Sequence, residues 1–300
     1  MEMPVSARQN IDFHATQHPL EFADQFETLE AYALHILHQK DYEEAAKMVP
    51  SGRVLDLGCN NGFGSYELSR HGHEVIGVDV SAGALEDARK RFHAANLEFR
   101  QVNGLELSFD SNHFDLITSF QVIEHIVDMD SYLNEIRRVL KPSGIVVFTT
   151  PNAIIRLDPG MKPWNHFHIQ EFTPSRLEAL LRPVFAEVKL RGQFAKDEIY
   201  RIEFERCQRS LQRARQRQSV RRSPLKPLRD GIATVVKAIL PNPMIEFVRN
   251  QRDRHSLTPD TIGRAPTVAD RERLTTKDVF YRESNMDRAL VLMAICSKGR

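Results

Sequence analysis

The 300-residue sequence predicts an α/β fold built on a parallel, doubly wound sheet. Short strand-like and helix-like runs alternate between residues 53 and 192, the sequence pattern of repeated βα units with helices on both faces of one sheet. The first strand-like run ends in a glycine-bearing turn that opens a helix. The last run of the chain, DRALVLMAICS, is too apolar to stand as an isolated tail and needs a place in the same sheet.

Taken in order, apolar residues at helical spacing between Phe22 and Met48, among them Leu29, Tyr32, Ala33, Ile36 and Leu37, predict one or two helices ahead of the first strand. RVLDLG then reads as a strand, GSYELSRH as a helix, EVIGVD as a strand and AGALEDARKRFHAA as a helix. LEFRQV and FDLITSF follow as strands, SYLNEIRRVL as a helix and GIVVFTT as a strand. SRLEALLR is a helix announced by Thr173 at its N-cap and Pro174 at its first position, and AEVKLRG is a strand. RCQRSLQRARQRQ reads as an exposed helix, and SPLKPL and LPNPM as proline-broken connectors. The predicted division is an N-terminal helical extension over 1–50, a ligand-binding core over 51–200, a basic helical insertion or lid over 201–274, and a final helix and strand of the core over 275–300.

The formal net charge of +1 excludes a globally basic or acidic chain. It conceals an asymmetry, because Glu205 to Arg264 carries about nine more Lys and Arg than Asp and Glu. Three widely spaced cysteines, Cys59, Cys207 and Cys296, match no metal-ligand spacing and leave an odd count for pairing, which places the protein in a reducing cytoplasm. The opening MEMPVSARQNIDFHATQHPLEF lacks the basic start and apolar run of a secretory leader, and IATVVKAIL is too short to cross a bilayer.

The informative stretch is VLDLGCNNGFG, Val54 to Gly64. A strand that ends in such a turn and opens a helix presents backbone N–H groups and the positive helix end to a ligand. Dinucleotide loops use G-x-G-x-x-G, but after Gly58 the second and third positions hold Asn60 and Phe63. The spacing that does hold is D-x-G-x-x-x-G-x-G, carried by Asp56, Gly58, Gly62 and Gly64. This resembles motif I of the class I S-adenosylmethionine-dependent methyltransferases. Asn60 departs from the glycine common there, yet Asn is among the few side chains that tolerate a left-handed backbone.

Further motifs extend the resemblance over about Tyr32 to Gly192 and the final strand. Asp79 closes the second strand about twenty residues after Gly58, where a carboxylate accepts from ribose hydroxyls; the same residue can instead cap the helix beginning at Ser81. In VNGLELSFDSNHFDLI, Asn103 stands where the family carries an acid beside the adenine, with Gly104 and Leu105 as cover; an Asn-Gly turn reads equally well. SFQVIEHI and LKPSG…TTPN are similar to later motifs, most closely those of the ubiquinone-biosynthesis O-methyltransferases. The resemblance implies a Rossmann-like sheet of seven strands, parallel except for one antiparallel strand, and S-adenosylmethionine as cofactor. It also implies a cofactor set of Asp56, Gly58, Cys59, Asn60, Gly62, Gly64, Asp79, Val80, Asn103, Gly104, Leu105, Phe120 and Gln121.

The sulfonium of that cofactor carries an activated methyl, so the protein mainly aligns a nucleophile, and a base is needed only for an acceptor that must lose a proton. His125, just past the fourth strand, is a candidate base, or else a wall residue bonded to a carbonyl. KPWNHFHIQEF offers His166 as a second catalytic candidate, with Trp164, Phe167 and Phe172 either walling an acceptor pocket or docking on the core. Glu124, His125, His166 and His168 are weak candidates for a metal site. In the small-RNA 2′-O-methyltransferases and some ubiquinone-type relatives, E-x-x-E-H and a later histidine hold an ion; here Gln121 replaces the first acid, so no metal is expected.

The basic insertion suits an anionic membrane surface or another anionic partner, or is a solvated lid, and allows a peripheral membrane location. Sparse aromatics among its basic residues argue against nucleic acid. The sequence thus leads to methyl transfer, to oxygen by preference, on a small-molecule, glycan or lipid-linked acceptor. RNA 2′-O-methylation, or cofactor binding without catalysis through Asn60, Asn103 and Gln121, are the alternatives.

Overall fold

A computed structural model describes residues 26–104, 106–222 and 263–299. The connectors SPLKPL and LPNPM, the run IATVVKAIL and Leu105 lie outside the described residues. The N-terminal reading resolves into one described helix, α1 (Leu29–Ala45), started by Thr28, whose Oγ1 accepts from Ala31 N at 3.0 Å. Then follow β1 (Arg53–Leu57), α2 (Phe63–Arg70), β2 (Glu74–Asp79), α3 (Ala82–Arg91), β3 (Leu97–Gln101), β4 (Phe114–Phe120), α4 (Met129–Val139) and β5 (Leu140–Pro151). The later elements are α5 (Ala153–Arg156), α6 (Pro174–Leu181), β6 (Glu187–Ala195), α7 (Asp197–Arg222), α8 (Val268–Arg273), β7 (Val279–Arg282) and β8 (Val291–Ser297).

The strands form one sheet in the order β3-β2-β1-β4-β5-β8-β6-β7. β1 to β5 are mutually parallel, β8 pairs antiparallel with both β5 and β6, and β7 pairs antiparallel with β6. The final apolar run therefore returns to the sheet as expected, wedged between β5 and β6. The expectation of seven strands with one reversed is corrected to eight with two reversed. The extra strand is the four-residue edge VFYR, too short for an alternating pattern to stand out in the sequence. The expected final helix lies at α8, just before residue 275.

Two apolar layers sandwich the sheet. On one face α4 buries Tyr132, Leu133, Ile136 and Val139 against Ile117, Val146 and Phe148, the helical spacing meeting strands buried on both sides. On the other, α1 spans the sheet, packing Ile36 and Leu37 with Ile199, Ile202 and Val291, and Tyr42 and Ala45 with Phe120 and Met293. The reading of RCQRSLQRARQRQ as exposed is corrected in its first half. Cys207 and Leu211 of α7 are buried, and Arg209 pairs with Glu30 of α1. No helix among the described residues is long and apolar enough to cross a membrane.

Candidate functional site

Strand order reverses between β1 and β4, so the carboxyl ends of these neighbours diverge and open a crevice, the place where open α/β sheets take ligands. At the end of β1 the chain turns through three left-handed residues, Gly58 (φ 79°), Asn60 (φ 48°) and Gly62 (φ 81°), before α2 begins. Space adds to the conformational demand: a Cβ on Gly58 would lie 2.5 Å from Val122 Cγ2, and one on Gly62 2.5 Å from Phe99 Cζ. The loop is sewn to the end of β2. Gly58 and Cys59 donate their N–H groups to Val78 O at 2.8 and 3.0 Å, and Asn60 N donates to Asp79 Oδ2 at 2.9 Å. Asp79 Oδ1 accepts from Ser81 N at 2.9 Å, while the cap of α3 is Ser81 itself, through Ala84 N at 3.3 Å. Asp79 is thus a half-buried clamp between two loops.

Asp56 lies beneath the loop rather than on its ligand side. Its carboxylate is fully buried and accepts from Ser65 Oγ at 2.6 Å, Thr118 Oγ1 at 2.8 Å and the Tyr42 hydroxyl at 3.3 Å. Burial pushes this carboxyl up to about 6, the three hydroxyl donors opposing it. Cys59 is also buried, and burial, with Asp79 and Asp56 nearby, holds its thiol well above the ordinary value. Gly64 has no unusual backbone; a Cβ there would fall 1.8 Å from Tyr42 Cζ. Its role is to let the α1 tyrosine reach Asp56.

Around the rest of the rim, Val80 is half-buried and its carbonyl accepts from Gln101 Nε2 at 3.0 Å. Asn103 is exposed and Gly104 left-handed at φ 90°, an open Asn-Gly turn after β3. Phe120 packs edge-on to Tyr42 with ring centroids 4.7 Å apart. Gln121 sits at the end of β4 in a left-handed conformation (φ 57°), uncommon for its side-chain type, pinned by its N–H to Thr149 O at 2.8 Å.

Past Gln121 a short 3₁₀ turn, Ile123–His125, delivers the titratable residues. Glu124 is fully buried; Thr150 Oγ1 donates to its Oε2 at 3.0 Å, and its Oε1 has no partner among the described residues. Burial pushes its carboxyl up to about 8. His125 Nδ1 lies 3.1 Å from Phe167 O. A carbonyl only accepts, so the ring donates through Nδ1–H and its Nε2 is the lone-pair nitrogen. His168 stacks edge-to-face on His125 at 4.9 Å, and one ligand atom each from Glu124, His125 and His168 lie within 4.8 Å of one another.

His166, expected beside His125, is instead exposed, its ring 3.7 Å from that of Phe167. A turn over residues 165–168, closed by His168 N donating to Asn165 O at 3.1 Å, leaves His166 outside and carries His168 inward. Phe172 belongs to the core, and Trp164 stacks under Arg156 at 4.1 Å. Tyr42, Ser65, Thr118, Thr150, Arg156 and Glu171 were not singled out from the sequence, and only Glu171, three residues after His168, stood close enough to suggest itself.

Residues 55–148 match a family described as a methyltransferase domain. The chain is 34% identical over 159 residues to a Mycobacterium tuberculosis protein named "Probable S-adenosylmethionine-dependent methyltransferase", covering 52% of this chain and 57% of that one. It is 38% identical over 105 residues to a ubiquinone biosynthesis O-methyltransferase of Alkalilimnicola ehrlichii, covering 33% of this chain and 42% of the relative. The chain therefore spans about half the length of the curated relatives it matches. A crystal structure from Pyrococcus horikoshii aligns at TM-score 0.49 and 23% identity, over 62% of this chain and 94% of that one.

Proposed function

We propose that the chain transfers the methyl group of S-adenosylmethionine to an oxygen of a small-molecule, glycan or lipid-linked acceptor, a reading supported by the match of residues 55–148 to a methyltransferase-domain family. The observation that carries this reading is the left-handed run Gly58, Asn60 and Gly62, held over Asp79 by the Asn60 N–H. It leaves a loop shaped for the adenosine and amino-acid parts of the cofactor, with Asp79 to accept from ribose hydroxyls. Asn103, Gly104 and the left-handed Gln121 complete the rim on the β3 and β4 sides. With the cofactor bound, its sulfonium would supply the methyl group to the acceptor oxygen, and His125 Nε2 would take the acceptor proton. Oxygen is supported by the name of one set of relatives and by the lone-pair nitrogen that the Phe167 carbonyl enforces on His125. An acceptor with an apolar part is supported by Val127 and Ile169, 84% and 51% exposed on the segments flanking Glu124.

A second reading is favoured by the buried Oε1 of Glu124, unpartnered among the described residues, beside His125 and His168. A divalent cation would fit these three donors, and two imidazoles with one carboxylate suit manganese, cobalt or zinc better than magnesium. When bound it would polarise the acceptor oxygen as a Lewis acid.

Calorimetric titration with S-adenosylmethionine, its demethylated product and NAD tests the main reading. Both sulfur compounds should bind, and Asp79→Ala should weaken them at least tenfold. Binding of NAD with neither sulfur compound would overturn it. Radiolabelled methyl transfer to fractionated extract then identifies the acceptor.

A further inference from the structure

We infer that Glu171, gripped by Arg156, is a positioning residue that fixes the tautomer and direction of the His168 imidazole; this rests on the cation reading for its purpose but not for its geometry. His168 Nδ1 lies 2.7 Å from Glu171 Oε1. The side chains of His168 and Glu171 are 7% and 0% exposed. Both oxygens of Glu171 accept from Arg156, so the carboxylate faces His168 as an acceptor. The imidazole must therefore donate through Nδ1–H, which makes Nε2 the lone-pair nitrogen, the form a ring takes when it ligates through Nε2.

Arg156 supplies the rigidity. Its Nε and one terminal nitrogen donate to the two oxygens of Glu171 at 2.9 and 3.1 Å, a bidentate grip that removes the carboxylate's freedom to rotate. The guanidinium plane is held over the Trp164 ring at 4.1 Å, and Trp164 Nε1 donates to the Arg156 carbonyl at 3.0 Å, closing the segment on itself. A further contact runs from Arg156 to Cys207 Sγ at 3.8 Å, and Cys207 donates to Glu203 Oε1 at 3.3 Å. The start of the basic stretch, α7, thus braces the residue that orients His168. His125 obtains the same Nδ1–H tautomer from a backbone carbonyl, so both rings beside Glu124 are set in one sense by two unrelated acceptors.

The test compares the wild type, Glu171→Gln, which keeps an acceptor at Oε1, and the double variant Arg156→Leu/Glu171→Leu, which removes the buried pair together and leaves neither charge uncompensated. Heteronuclear NMR of the imidazole nitrogens, without added metal, reports the tautomer, and calorimetry with Mn²⁺ reports the cation. The expected result is Nδ1–H His168 in the wild type and in Glu171→Gln, reversion to the Nε2–H form in the double variant, and Mn²⁺ affinity about 10- to 100-fold weaker in the double variant. S-adenosylmethionine affinity should be unchanged throughout, showing that the fold is intact. An Nδ1–H tautomer that persists in the double variant, or that is absent from the wild type, overturns the inference. A tautomer that switches as expected in a wild type that binds no Mn²⁺ supports the positioning role and overturns the cation reading alone.

Discussion

Tyr42 of α1 crosses directly over Gly64 to bring its hydroxyl 3.3 Å from the buried Asp56, joining the helix ahead of the sheet to the strand that carries the glycine loop. The contact explains an otherwise plain glycine. Gly64→Ala places a methyl inside the tyrosine ring and should destabilise the protein by about 1–3 kcal/mol as Tyr42 is forced aside. Tyr42→Phe removes only the hydroxyl, leaves Asp56 its Ser65 and Thr118 donors, and should cost about 1 kcal/mol. Urea denaturation checks both, and a Gly64→Ala variant less destabilised than Tyr42→Phe would contradict the packing argument.

The asparagine in the loop makes a separate prediction. At φ 48°, Asn60 occupies a region that glycine enters freely and a β-branched residue does not. Asn60→Gly should leave stability and S-adenosylmethionine affinity almost unchanged, whereas Asn60→Val should cost about 1–2 kcal/mol and weaken cofactor binding. Melting curves with and without cofactor separate the two effects.

A pH dependence follows from Asp41, buried under α1. It accepts from Gln193 Nε2 at 2.6 Å and from the Tyr281 hydroxyl, and burial pushes its carboxyl from 3.8 up to about 7. The folded state then holds a proton that the unfolded chain releases near pH 4. The contribution of Asp41 to stability is full below that value and is lost as pH rises through 7, by roughly 3–4 kcal/mol. Asp56, pushed up to about 6, adds to the same trend over a narrower window. Asp41→Asn keeps the acceptor oxygen and should be the more stable protein at pH 8, with a shallower decline between pH 5 and 7. An unaltered slope in denaturation midpoints across that range would remove Asp41 as its source.

The two histidine candidates should separate in kinetics. His125→Ala should lower methyl transfer by about 10²- to 10⁴-fold with cofactor affinity retained. His166→Ala, at an exposed ring outside the Glu124 cluster, should leave the rate within a factor of about two, which is ~0.4 kcal/mol in barrier. Single-turnover transfer measured on both variants distinguishes them, and a large loss in His166→Ala would restore it to the site.

What could be read along the chain was whatever a few neighbouring residues decide together. The βα alternation, the cap at Thr173, and the spacing of Asp56, Gly58, Gly62 and Gly64 are of this kind, because helix entry and left-handed backbone are demands met by local side chains. Even Asn60 could be weighed in place, since its tolerance of positive φ belongs to its own side chain. The short strand β7 escaped because four residues hold too little periodicity, and only its register against β6 makes it a strand. Burial and partnership lay beyond the sequence. Asp56 is a fully buried anchor because Tyr42 arrives from α1 and Thr118 from β4, 62 residues away, and Glu171 becomes an orienting group because Arg156 and α7 close over it. His168 rather than His166 joined His125 by the direction one loop took across the sheet edge. The sequence by itself therefore determined the βα alternation and the glycine loop, whose causes are local. The tertiary structure alone decided which carboxylates and imidazoles meet, because their desolvation and hydrogen bonds depend on elements far apart in the chain.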